Sequence, residues 1–157
     1  MKIVERVCEL LLGATFEEIG RAADMVWVAF HSASTAPRLH ASCPLRIVES
    51  GQILLSSHDI YDMGCGIPEE DFRWDDPEIG STLFDQRTIV LNDKLAGRIV
   101  THVEFSPTLD LRICFEGGYV LECIRMHFQE ATEPWEDENY RIFSVSDNEL
   151  EEPQIVF

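Results

Sequence analysis

Residues 109–126 hold the pattern that most narrows the possible folds. Leu109, Leu111, Ile113 and Phe115 recur at every second position. Glu116-Gly117-Gly118 follows, and Tyr119 to Met126 returns. A strand alternates its side chains between two faces, and glycine reaches positive φ without a steric penalty. The segment is therefore predicted to be a β-hairpin with one apolar face, which needs a second layer to bury it. A second hairpin is expected from Leu39–Val48 and Gln52–Ser57 around the turn Ser50-Gly51, with Pro44 marking an edge position or a bulge. Further strands are expected at 15–21 (irregular), 25–31, 98–105 and 140–145, with a last edge strand at 155–157.

Helical spacing is rarer. Ile3, Val4, Val7, Leu10 and Leu11 fall on one face, and Gly13 stops the run, so residues 2–12 read as an amphipathic helix. A short helix is expected within 83–96, around Leu83, Phe84, Arg87 and Val90. The sum is an α+β fold: a mostly antiparallel sheet with an N-terminal helix and one further short helix packed on it. At 157 residues, 45% of them hydrophobic, the chain suits a single domain spanning 1–157.

The longest apolar runs, such as Met25–Phe30, are far shorter than the roughly 20 residues that span a bilayer. Lys2, Glu5, Arg6 and Glu9 interrupt the early apolar residues, so no secretory signal is read and a cytoplasmic location is expected. The five cysteines (Cys8, Cys43, Cys65, Cys114, Cys123) are odd in number and scattered, and form no CxxC pair. They read as small buried hydrophobes rather than a disulfide framework or a zinc site.

Charge is the outlier. The net formal charge is −17, and two short segments carry nearly all of it. Residues 59–78 set eight acids against Arg73, a net of −7, and residues 128–157 set nine acids against Arg141, a net of −8. Each segment contains a tryptophan, Trp74 and Trp135. An aromatic anchor in a charged surround suits a docking surface, whereas solubility alone would scatter charge. The candidate partner-binding residues are Glu69, Glu70, Asp71, Trp74, Asp75 and Asp76 in the first segment, and Glu133, Trp135, Glu136, Asp137 and Glu138 in the second. The competing reading is two solvated loops. Phosphates repel such a surface, and Arg38, Arg46, Arg98, Arg112 and Arg125 are spread over predicted strands, so no nucleic-acid partner is expected.

Reactive constellations are sparse among His31, His40, His58, His102 and His127. His58, Asp59, Asp62 and Cys65 are close in sequence but match no ligand spacing, and no metal or cofactor is expected. Cys65 sits in an acidic loop that opposes thiolate formation. His40 and Cys43 would lie on opposite faces of one strand. Asp59 is the best single acid–base candidate, set against a simpler role as a turn-forming aspartate.

Several segments together resemble small bacterial proteins associated with toxin-immunity loci. They are Asp24-Met25-Val26-Trp27, Leu39-His40, Cys43-Pro44-Leu45-Arg46, Ser57-His58-Asp59-Ile60-Tyr61 and Asp110 to Gly118. The likeness runs over about residues 10–145, with Tyr140 standing where the pattern has Trp. It implies a non-catalytic immunity or inhibitor protein that neutralises a basic toxin, such as a nuclease, by steric and electrostatic blocking. A regulatory interaction module without a toxin is the alternative, followed by a small enzyme using Asp59, His58 or Cys65.

Overall fold

The computed structural model describes residues 2–126, 139–145 and 150–157, the last stretch mostly by its backbone. The chain opens with helix α1 (Lys2–Leu11) and runs through strands β1 (Thr15–Ala22), β2 (Met25–His31), β3 (Pro37–Ala41), β4 (Leu45–Glu49) and β5 (Gln52–Ser56). Two 3-10 turns, Ser57–Tyr61 and Glu69–Asp71, precede helix α2 (Leu83–Leu95). Strands β6 (Val100–Phe105), β7 (Leu111–Phe115), β8 (Tyr119–Cys123), β9 (Tyr140–Val145) and β10 (Leu150–Val156) complete the order. The fold is α+β, as expected, but the strands divide into two five-stranded antiparallel sheets rather than one. Their orders are β1-β2-β3-β9-β10 and β5-β4-β8-β7-β6.

The division falls inside the run expected to be a single strand, 39–48. That run breaks at Ser42-Cys43-Pro44, and the chain crosses there from the first sheet to the second. Pro44 has no N–H to donate to a ladder. Its carbonyl still accepts from the Ile124 N–H at 2.9 Å, while Ser42 and Cys43 both donate to the Asn139 carbonyl. The crossover is thus satisfied on both sides although it belongs to no strand. The β4–β5 turn is as expected: Ser50 and Gly51 both take positive φ, 48° and 77°, which matches the twist of a tight hairpin.

The two sheets face each other over one apolar cluster. Phe115 of β7 stacks on Phe30 of β2 at 6.2 Å and meets Phe16 of β1 edge-on at 5.8 Å. Val7 and Leu11 of α1 join this cluster, as do Phe84, Leu91 and Leu95 of α2. The inward stripe of α2 is Phe84, Thr88, Leu91 and Leu95, while Arg87 and Val90, expected to mark the helix, point outward. Leu109, expected at the start of β7, lies in the preceding turn with φ 64°. Its backbone leaves the extended region before Leu111, Ile113 and Phe115 take the buried face.

Helix α2 also closes an edge. β1 ends its sheet, and the Asn92 side chain supplies both hydrogen bonds that a neighbouring strand would make at Ile19. Asn92 Oδ1 accepts from the Ile19 N–H at 2.9 Å, and Nδ2 donates to the Ile19 carbonyl at 3.1 Å. This covers backbone groups that would otherwise invite another strand.

Candidate functional site

The first acidic segment forms a strap from β5 to α2. It begins in a capping box. Ser56 Oγ accepts from the His58 N–H, and Asp59 Oδ2 accepts from the Ser56 N–H at 2.9 Å. Asp59 is buried and also takes a hydrogen bond from Arg87 of α2 at 2.8 Å. The side chain therefore does the turn-forming work weighed for it. One of the eight acids of the segment is already neutralised.

The two ends of the strap are tied together. Gly64 N–H donates to the Ser81 carbonyl at 2.8 Å, Leu83 N–H donates to the Asp62 carbonyl at 2.8 Å, and Met63 bridges to Thr82. The Gln86 side chain holds both backbone groups of Cys65, at 2.8 and 3.1 Å. Further along, the buried Ser81 hydroxyl accepts from the Arg73 N–H and donates to the Arg73 carbonyl, each at 2.8 Å. Arg73 itself donates to the Glu70 and Phe72 carbonyls. The one base of the strap thus shapes its backbone. Arg21 reaches from β1 to donate to the Trp74 carbonyl.

With the backbone pinned from inside, the acids turn outward. Glu69, Glu70, Asp71 and Asp75 are exposed, and Asp76 is half-buried with its carboxylate accepting from the Glu78 N–H. Trp74 is 42% exposed and Tyr61 50%, and their rings lie 5.6 Å apart. His58 adds a third ring, 6.1 Å from Tyr61. The structure therefore joins Trp74 to an aromatic patch that includes Tyr61 and His58, on the same strap that exposes Glu69, Glu70, Asp71 and Asp75. Tyr61 was missed because its partner lies across the strap. The other candidates, Glu133, Trp135, Glu136, Asp137 and Glu138, lie outside the described residues.

The possible chemical clusters are separated. Asp59 points inward to Arg87, and Cys65 is clamped against α2. Among the described residues, no group of three or more His, Cys, Asp or Glu side chains converges as a metal site would. His40 packs edge-on against Phe143 at 4.8 Å in the first sheet, while Cys43 sits in the crossover. A cavity of about 350 Å³ opens beside that crossover, lined by Asp24, Cys43, Ser57, His58 and Tyr61 among others.

The far face of the second sheet carries a charge ladder instead of a patch. Arg46 pairs with Glu122 at 2.6 Å, and Arg112 pairs with Glu104 at 2.9 Å. Arg46 and Arg112 each lie opposite Glu122 in register, so the acid is shared by two neighbours. Among the described residues, no helix is long and apolar enough to cross a membrane. Compared with family models, curated proteins and solved structures, the chain matches none.

Proposed function

We propose that the chain is a non-catalytic acidic binding protein of the immunity or inhibitor type, which neutralises a basic protein toxin. The strap docks on the toxin's cationic face, with Trp74 and Tyr61 as the apolar anchor. The observation that carries this reading is a backbone pinned by Ser81, Gln86 and Arg21 beneath outward-facing acids. A loop already held in shape loses little conformational freedom on binding. Its concentrated charge draws a basic partner in by long-range attraction and sets the docking orientation. The aromatic pair then supplies contact area from which water can be expelled. Blocking of this kind needs coverage of the toxin's working face and no chemistry from the inhibitor.

The test has two arms. Purified protein is used to capture partners from the source cell, in parallel with a variant carrying Glu69→Gln, Glu70→Gln, Asp71→Asn, Asp75→Asn and Asp76→Asn. A basic protein held by the first and lost by the second is expected. Its association rate should fall by roughly tenfold or more in the variant and become less dependent on salt. Co-expression should then protect cells from that partner. Association that is indifferent to salt and to the five changes overturns the electrostatic reading. A partner that is harmless when expressed alone overturns the toxin reading.

A further inference from the structure

Cys43 and Cys123 are far apart in sequence and are brought together as neighbours by the β4–β8 pairing. Leu45 and Cys123 are direct partners in the β4–β8 ladder, and the bond from Ile124 N–H to the Pro44 carbonyl extends that ladder one step further. By the two-residue period of a strand, Cys43 then falls on the same face as Cys123, as its diagonal neighbour. The two thiols are near enough for each to perturb the other's ionisation. Their surroundings differ. Cys123 is fully buried, whereas Cys43 retains a small exposure and forms part of the wall of the 350 Å³ cavity beside the crossover.

We propose that Cys43 and Cys123 form a two-thiol redox site, in which Cys43 is the residue oxidised by a small peroxide entering the cavity and Cys123 is the residue that resolves it. The Cys43 sulfur attacks one oxygen of hydrogen peroxide. An S–O bond forms as the O–O bond breaks, and the departing hydroxide takes the Cys43 proton to give water. Cys43 is then a sulfenic acid. The Cys123 sulfur attacks it, an S–S bond forms as the S–O bond breaks, and the hydroxyl leaves with the Cys123 proton as a second water. The two thiols lose two electrons, and the peroxide gains them. A thiol or dithiol reductant reverses the outcome by exchange.

The electrostatics favour this order of events. The neighbouring Cys123 thiol lowers the Cys43 pKa despite burial, while the influence of Cys43 and full burial push the Cys123 thiol up. The thiolate is the reactive form, so attack begins at the residue that faces the cavity. A disulfide needs the two sulfurs at bonding distance, and the movement that brings them there falls on Ser42-Cys43-Pro44, which lies outside the strands. The crossover is held by the Ser42 and Cys43 N–H groups on the Asn139 carbonyl, at 2.8 and 3.0 Å. Oxidation therefore acts where the chain passes between its two sheets.

The test uses the reduced full-length chain in native buffer and in urea. Hydrogen peroxide is added, free thiols are blocked with iodoacetamide, and the products are read by intact mass and peptide mapping. The expected native product lacks two hydrogens, links the Cys43 and Cys123 peptides, and reverts with dithiothreitol. It should form at least roughly tenfold faster folded than in urea, where proximity is lost. In Cys123→Ser, Cys43 should be labelled by dimedone as a sulfenic acid. In Cys43→Ser, Cys123 should remain a thiol. The proposal is overturned if native peroxide treatment oxidises Cys65 or Cys114 and leaves Cys43 and Cys123 open to alkylation. It is also overturned if the link forms no faster folded than unfolded, an outcome read on the unmutated chain.

Discussion

Arg21 and Asp85 meet as a two-pronged ion pair, Nε to Oδ1 at 2.7 Å and a second guanidinium nitrogen to Oδ2 at 2.8 Å. Only 1% and 10% of their side chains are exposed. The pair joins β1 to the first turn of α2, and the remaining Arg21 nitrogen holds the carbonyls of Ala23 and Trp74. One buried cation thus fixes a strand edge, a helix start and the aromatic part of the acidic strap.

Removing one member of that pair leaves the other charged and buried. Asp85→Ala is therefore expected to cost about 3–5 kcal/mol, the range for broken buried pairs. Urea unfolding measures it. Arg21→Leu with Asp85→Leu should cost less than the sum of the single changes, because no charge is left without its partner. Trp74 emission should shift to the red in both Arg21 variants, since its carbonyl loses the anchor. If Asp85→Ala changes stability by less than about 1 kcal/mol, the pair is not holding these elements together.

Gly20 and Trp27 face each other across β1 and β2. A Cβ on Gly20 would overlap the Trp27 ring, with atoms of the six-membered ring inside contact distance. Glycine weakens a strand, yet here its bare face gives the indole a place to lie. Gly20→Ala should cost about 1–3 kcal/mol by overpacking. In a Trp27→Ala background the same change should cost clearly less, and thermal unfolding of the four-member cycle reads the coupling. Equal costs in both backgrounds would place the ring elsewhere.

How much of this was legible follows the range of each interaction. The β7–β8 and β4–β5 hairpins announce themselves locally, because alternation and turn residues lie within a few positions of each other. The α1 stripe is likewise local. The split of 39–48 is not, since Leu39–Ala41 and Leu45–Ile47 alternate alike. Pairing of β3 with β9 and of β4 with β8 decides which sheet each half joins. The stripe of α2 is blurred by exposed Ile89 and Val90 and by buried Thr88, so its length was underread. Within the acidic segment, position alone could not separate Asp59, which turns inward to Arg87, from Glu69 and Glu70, which turn out. The Ser56-to-Asp59 spacing was the available signal, since a hydroxyl followed three residues later by an acid is a capping pattern. The nearness of Cys43 to Cys123 had no local signal at all.

Tyr140 predicts an alkaline limit. Its hydroxyl donates to the Leu109 carbonyl at 2.6 Å, its ring stacks on Phe157 at 4.8 Å, and the side chain is fully buried. Burial pushes the phenol far above its ordinary value of 10. A raised folded-state pKa means the fold keeps a proton that the unfolded chain releases. The stabilisation is complete below about pH 10 and is lost as pH rises beyond it, by at most about 1.4 kcal/mol per pH unit. Urea midpoints should fall above pH 10, and Tyr140→Phe should flatten part of that decline. The same change should cost about 1 kcal/mol at neutral pH, because the Leu109 carbonyl loses its donor. An unchanged alkaline slope in Tyr140→Phe assigns the decline to other groups.

The outward acids of the strap and the inward one should respond in opposite ways. Glu69, Glu70, Asp71 and Asp75 are exposed, so changing each to its amide should alter stability by no more than about 0.5 kcal/mol. Taken together, the changes relieve repulsion among like charges, which makes them neutral or mildly stabilising at low ionic strength. The unmutated chain should gain stability as salt rises from about 0.01 to 0.15 M, where the screening length shortens from about 30 to 8 Å. The neutralised variant should gain less over the same range. Asp59→Ala, in the same segment, should instead cost about 1–2 kcal/mol at either salt, because it removes a cap and strands Arg87. Asp59→Asn keeps an acceptor for the Ser56 N–H and should fall between the two. Urea unfolding of all variants at both salt concentrations decides the matter. A stability loss from the outward changes as large as that from Asp59→Ala would mean that their carboxylates hold the strap together, leaving them unavailable to a partner.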